Sequence, residues 1–271
     1  MRYTILFLLV FSFSFSQQLS FKTINLPKVL EETSGLEIYE DYLITHNDSG
    51  DKPIIYFFTP KGKLIKEVKL DKLKNKDWED IAADSTNYYI ADTGNNFGTR
   101  ENLIIYIIDR EFNSKGKIKI KYEAQTTFSR DPRNEFDAEG LAVVGENLML
   151  FSKNRKTLQS QIYVFPKTQG DYSLIPQALL DTESLITAAD YSEEEDMLAL
   201  TGYNYRGEQF FYIAKNFIAN GLKKIDLKRF NIRVESAQIE AVKIINANEF
   251  WITSESEGNG FPRLFQLHLK P

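Results

Sequence analysis

Cysteine is absent from the 271 residues, which excludes disulfide staples, a thiolate nucleophile and lipid attachment through a thiol. Histidine occurs only as His46 and His268, so a Ser-His-Asp triad has little raw material, and His268, within a strand pattern, reads as structural. A basic excess is missing as well. Lys and Arg number 33 against 38 Asp and Glu, a formal net charge of −5, which argues against a general binder of nucleic acid. No glycine-rich phosphate loop or dinucleotide fingerprint occurs. No apolar run reaches the roughly 20 residues of a spanning helix, so no membrane span is expected. The longest, Ile5 to Phe15, is broken only by serines, follows Arg2 and gives way to Ser16-Gln17-Gln18. That is the pattern of a secretory signal peptide over residues 1–16, the competing reading being a buried N-terminal strand. The expectation is a secreted or periplasmic protein with a single domain over 17–271. A chain of about 250 residues can bury a core large enough to do without disulfides.

What the chain does contain is a phrase that returns five times. Its clearest copy is Phe136-Asp137-Ala138-Glu139-Gly140-Leu141-Ala142, with Asp77-Trp78-Glu79-Asp80-Ile81 before it and Gln238-Ile239-Glu240-Ala241-Val242 after it. Glu32-Thr33-Ser34-Gly35-Leu36 and Leu185-Ile186-Thr187-Ala188-Ala189 are weaker copies. The oxygen-bearing residues Ser34, Glu79, Glu139, Thr187 and Glu240 stand 45, 60, 48 and 53 residues apart, within the range of repeat architectures.

Each copy opens a run of alternating segments that reads as four strands, a to d, separated by polar turns. The fourth strands of the first four units are expected at 64–70, 117–124, 173–180 and 223–227. The fifth unit lacks a fourth strand, while 21–26 is a strand without a unit. Borrowing it would complete the last blade and close a ring. The fold class predicted is therefore all-β, a five-bladed β-propeller with an N-terminal closing strand, six blades being the alternative.

In a propeller, strand a lines the central channel and strand b runs back beside it. The starts of the a strands and the ends of the b strands then share one mouth. Ser34, Glu79, Glu139, Thr187 and Glu240 should ring it, and the b–c loops around it carry the candidate ligand-binding residues. These are His46, Asp48, Asp92, Asn95, Asn96, Arg100, Asn154, Arg155, Tyr203, Asn204 and Glu255. Three glutamates converging on one opening need a counter-charge. Calcium supplies it through about six to eight oxygen ligands, whereas the lack of histidine and cysteine in the phrases disfavours zinc and copper. The competing reading is that the glutamates bond to backbone amides and hold blades together. Asp77 and Asp137, two residues before two of the ring positions, could join the glutamates or bind the next blade.

With its ring order Ser34, Glu79, Glu139, Thr187 and Glu240, the chain resembles the calcium-activated nucleotidases, secreted apyrases with five blades. The resemblance implies one calcium ligand per blade, with Thr187 where the family has serine. Similar Glu-Gly-Leu phrases occur in phytase-like propellers. No counterpart of the family's nucleotide-holding loops is present, so the resemblance implies fold and ion rather than apyrase activity. Two functions follow as expectations. One is a monomeric scaffold or receptor for a small molecule, a glycan or a protein. The other is a calcium-dependent hydrolase of phosphate esters, with Asp92, Arg100 and Arg155 touching substrate.

Overall fold

The computed structural model describes residues 18–234, 237–258 and 260–270; the expected signal segment lies outside them. The chain enters through β1 (Gln18–Asn25) and a single turn of 3-10 helix, Lys28–Leu30. Blade I follows as β2 (Thr33–Tyr39), β3 (Tyr42–Asn47), β4 (Ile54–Phe58) and β5 (Leu64–Lys69). Blade II holds β6 (Trp78–Ala83), β7 (Asn87–Asp92), β8 (Leu103–Asp109) and β9 (Ser114–Tyr122). Blade III starts with β10 (Ala138–Val144), β11 (Asn147–Ser152) and β12 (Ser160–Pro166). After them come β13 (Gly170–Leu174) and β14 (Pro176–Leu180). Blade IV is β15 (Leu185–Ser192), β16 (Met197–Tyr203), β17 (Gln209–Lys215), a short helix α1 (Phe217–Asn220) and β18 (Lys228–Ile232). Blade V consists of β19 (Ile239–Asn246), β20 (Glu249–Ser254) and β21 (Arg263–Lys270).

Five sheets result, so the six-blade alternative falls away. The N-terminal strand does close the ring: β1 pairs antiparallel with β21 from Gln18↔Lys270 to Asn25↔Arg263. Blade V is thus ordered β1-β21-β20-β19.

Two outer strands differ from the expectation. The segment expected as one strand over 173–180 is two, because Ile175 turns out to solvent between them. β13 crosses to blade II and pairs parallel with β9, while β14 completes blade III beside β12. Leu174 is the residue that fixes this exchange, buried in the apolar layer between blades II and III. In blade IV the outer strand is β18, not 223–227. Leu222, Ile225 and Leu227 instead pack as a loop on the layer between blades III and IV, and the buried Phe230 and Ile232 give β18 its alternation.

The core is not one central mass but five apolar layers, one between each pair of neighbouring blades. Phe211 of blade IV meets Phe250 of blade V at 4.8 Å between ring centroids, and Tyr122 of blade II meets Tyr163 of blade III at 5.1 Å. Trp78, fully buried, fills the layer between blades I and II. Burial of such side chains supplies on the order of 1.5–3 kcal/mol each, which is how a cysteine-free ring holds its shape. The inner strands are almost wholly buried and pack closely around the axis. Gly35, at φ +69°, is needed there, since a Cβ would lie 2.6 Å from the Ile81 nitrogen.

Candidate functional site

Every copy of the phrase coincides with a break in strand pairing. In blade II Trp78 faces Asp92 and Asp80 faces Ala91, so Glu79 has no partner across the pair. The same irregularity skips Glu139 in blade III, Thr187 in blade IV and Glu240 in blade V, and falls between Ser34 and Glu37 in blade I. A β-bulge re-aims a side chain that the pleat would send into a blade interface. The oxygen-bearing residues thereby stand beside the ends of the b strands.

The ring members then divide by role. Ser34 Oγ donates to the Glu79 carbonyl, tying blade I to blade II. Thr187 Oγ1 donates to the Ile239 carbonyl at 2.6 Å, tying blade IV to blade V. Thr93 does the same toward Ala138 at 2.8 Å. The glutamates are less uniform. Glu139 Oε2 accepts from Lys153 Nζ at 2.5 Å, and Glu240 Oε1 accepts from Gln238 Nε2 at 2.7 Å. Glu79, only 4% exposed, receives no hydrogen bond or ion pair at its carboxylate among the described residues.

A second ring lies just outside the first. Asp48, Gly94, Lys153 and Glu255 each donate their backbone N–H to the carbonyl two residues before the ring position of their own blade: Glu32, Asp77, Asp137 and Gln238. Tyr203, paired with Leu185, holds the corresponding place in blade IV. One structural position thus carries two carboxylates, a glycine, a lysine and a tyrosine. Lys153 Nζ also lies 5.0 Å from the centre of the Tyr203 ring.

Carboxylate oxygens fall into two groups, within 4.8 Å of one another in each, and Glu79 belongs to both. Asp48 and Asp77 complete one; Asp137 and Glu139 complete the other. Glu240 belongs to neither. Burial raises the Glu79 carboxyl well above the usual range, and the Asp48, Glu139, Asp77 and Asp137 charges push it further. Asp48 is raised to about 7 by burial and by Asp77, and Asp77 to about 6 by burial against the pull of Arg100. Glu255 rises to about 10, through burial and then Glu240. For Lys153 burial opposes the charge, but Glu139 and Glu240 outweigh it and hold the ammonium. The mouth holds more carboxylates than cations.

The remaining predicted ligand residues are spread over three settings. Arg100 is buried and reaches Asp92 at 2.6 Å, the Gly94 carbonyl at 2.6 Å and Asp77 at 3.7 Å. Arg155 pairs with Asp137 at 2.6 Å and also meets Asn96. These four residues belong to the mouth. Asn95, Asn154 and Asn204 chiefly order loops: Asn95 Oδ1 accepts the Arg100 N–H, Asn154 Oδ1 accepts from Lys156 and Thr157, and Asn204 Oδ1 accepts from Arg206 and Glu208. His46 has no exposed surface and lies edge-on to Trp78, centroids 5.3 Å apart. Beside Tyr203 and Asn204 a cleft of about 400 Å³ opens, lined also by Tyr205, Gln209, Gln238 and Glu257.

Several charged residues escaped the sequence reading. Asp80, fully enclosed along the inner strands, accepts backbone N–H groups from Ile81 at 2.8 Å, Leu141 at 2.8 Å and Ala189 at 3.1 Å, so it joins blades II, III and IV. Lys243 of blade V reaches Glu37 of blade I at 2.7 Å and Asp190 of blade IV at 3.0 Å. Lys153 was visible only as a residue ending a strand. A comparison of that position across the five units, which finds carboxylates at Asp48 and Glu255, is the signal that could have singled it out.

No protein-family model matches the chain, and no curated protein matches it. Solved structures do. The PQQ-bound form of aldose sugar dehydrogenase from Streptomyces coelicolor aligns over 93% of this chain and 99% of that one, at TM-score 0.53 and 11% identity. The WD40 repeats of RRP9 align over 94% and 100%, at TM-score 0.49 and 8% identity. At 11% identity the first of these speaks for the propeller fold and nothing beyond it. Among the described residues no helix is long and apolar enough to cross a membrane.

Proposed function

We propose that this chain is an exported, monomeric propeller scaffold that binds calcium at the mouth of its channel and presents a polar ligand surface around it. The observation that carries the reading is Glu79: a buried carboxylate without a donor, shared by two groups of acidic oxygens. An all-oxygen donor set suits a hard cation, and carboxylates on either side of Glu79, Asp48 with Asp77 and Asp137 with Glu139, offer further oxygens. Of the ring read from the sequence, Ser34 and Thr187 contribute lone pairs at most, their protons being committed to carbonyls. The ion would relieve the repulsion among the carboxylates around Glu79.

The ligand surface is the cleft by Tyr203 and Tyr205. Phenol rings, side-chain amides and one carboxylate, with no cation among its lining residues, fit a polar uncharged ligand such as a glycan better than a phosphate. A phosphate-ester hydrolase of the nucleotidase or phytase kind is the weaker reading. Its substrate contacts would be Arg100 and Arg155, and both guanidinium groups already serve Asp92 and Asp137.

Thermal melts of the purified chain with calcium and with chelator test the proposal. A ligand at about 100 times its Kd adds about 2.7 kcal/mol, several degrees in a domain of this size. Identical melts together with no calcium found by elemental analysis after dialysis would remove it.

A further inference from the structure

The two acidic groups at the mouth are alike in their oxygens but not in their neutralisation. In the group of Glu79, Asp137 and Glu139, two of the three carboxylates already hold cations of the protein. Lys153 Nζ sits 2.5 Å from Glu139 Oε2, and Arg155 Nη1 sits 2.6 Å from Asp137 Oδ2. The lysine is enclosed, its side chain 4% exposed, with Tyr203 at its flank. In the group of Asp48, Asp77 and Glu79 the nearest cation is Arg100, 3.7 Å from Asp77 and drawn more closely to Asp92. Among the described residues Asp48 has no cation within ion-pair distance and the Glu79 carboxylate has no hydrogen-bond donor.

The second ring explains the asymmetry. Blade III places Lys153 where blade I places Asp48, blade V Glu255 and blade II Gly94. Glycine in blade II leaves the space into which the Glu79 carboxylate extends. Lysine in blade III fills the matching space above Glu139 with an ammonium group.

We infer that Lys153 is a tethered cation standing in for a metal ion at Glu139, so that the mouth takes a single divalent ion, off the channel axis, between Asp48, Asp77 and Glu79. This rests on the cation reading above and adds to it the seat, the number of ions and the residue that decides both. An ion at that seat joins blades I and II, which the Ser34 hydroxyl on the Glu79 carbonyl and the Asn75 side chain, between the Asp48 carbonyl and Trp78 N–H, also tie there. The lysine already closes the corresponding gap on the other side.

The test is equilibrium dialysis of the full chain against calcium, with elemental analysis, on the unaltered protein, Asp48→Asn and Lys153→Met. The expected results are one ion per unaltered chain and an affinity lowered at least about tenfold in Asp48→Asn, as loss of a ligand charge predicts. Lys153→Met should bind a second ion, or bind the first more tightly, and should regain in millimolar calcium the melting temperature it loses in chelator. Asp48→Asn alters a partly exposed loop residue, so it keeps the inference testable if Lys153→Met does not fold. One ion bound with unchanged affinity in both variants overturns the assignment while sparing calcium binding. No ion in the unaltered chain or in Lys153→Met overturns both.

Discussion

The Cβ that Gly94 lacks would lie 1.9 Å from Glu79 Oε1 and 2.5 Å from the Asp77 carboxylate. Gly94 has no left-handed backbone to justify it; the space itself is the requirement. Gly94→Ala should therefore leave the fold intact while pushing Glu79 and Asp77 aside, at a cost of about 1–3 kcal/mol for overpacking. The informative comparison is the calcium-dependent shift in melting temperature. It should shrink to near zero in Gly94→Ala, and a shift equal to that of the unaltered protein would show that Glu79 is not a ligand.

Asp80 is the residue on which blade-to-blade cohesion at the axis should depend most. Its carboxylate receives three backbone N–H groups from three blades, and none of those donors has water as a substitute in so closed a place. Asp80→Ala would strand them, and a loss of about 3–5 kcal/mol in denaturant unfolding is expected. Asp80→Asn keeps one acceptor and turns an amide toward N–H groups, so it should fall between the two. An alanine variant within about 0.5 kcal/mol of the unaltered chain would contradict this account.

The phrase at the five ring positions was legible in the sequence because the same break in pairing recurs in every blade and each time carries an oxygen-bearing side chain. The N-terminal closing strand was legible from the missing partner of 264–269. Outer strands were not, for a physical reason. β18 and β14 touch one neighbour and solvent, so two buried side chains mark the first and one the second, and Leu222, Ile225 and Leu227 carry as strong an apolar signal from a loop. The charged ties were hidden for another reason. Lys243 and Glu37 lie 206 positions apart and meet only because the ring closes. His46 read as a mouth residue because Asn47-Asp48-Ser49-Gly50 is a turn, yet it is the last inward position of β3 and lies under Trp78.

Closure by β1 carries a clean expectation. Eight residue pairs join β1 to β21, and Leu26 N–H adds a bond to the Pro262 carbonyl at 2.8 Å. Without β1, β21 becomes an unprotected edge and Phe265 loses the edge-on ring of Phe21, 5.7 Å away. A chain beginning at Pro27 should aggregate or melt without a cooperative transition, and a synthetic peptide of residues 18–26 should restore the transition. A cooperative melt of the shortened chain at the full-length temperature would mean that the ring closes by apolar packing alone.

His46 gives a pH dependence with a defined sign. The ring has no exposed surface, and its Nδ1–H donates to the Asn47 carbonyl at 3.2 Å. Burial lowers its pKa from 6.5 to about 4, so the folded chain keeps it neutral where the unfolded chain protonates it. A base with a depressed folded pKa stabilises the fold above its unfolded pKa and loses that contribution as pH falls. Between pH 6.5 and about 4 the loss should reach about 3 kcal/mol. Asp48 and Asp77, raised to about 7 and about 6, act in the opposite direction, because their protonation favours the folded state as pH falls through those values. The total curve mixes both signs, and a variant is needed to separate them. His46→Phe retains the edge-on contact with Trp78 and removes the titration. In chelator, its stability relative to the unaltered protein should rise steadily from pH 7 to pH 4. A difference independent of pH would show that His46 is protonated as readily in the fold as in the unfolded chain.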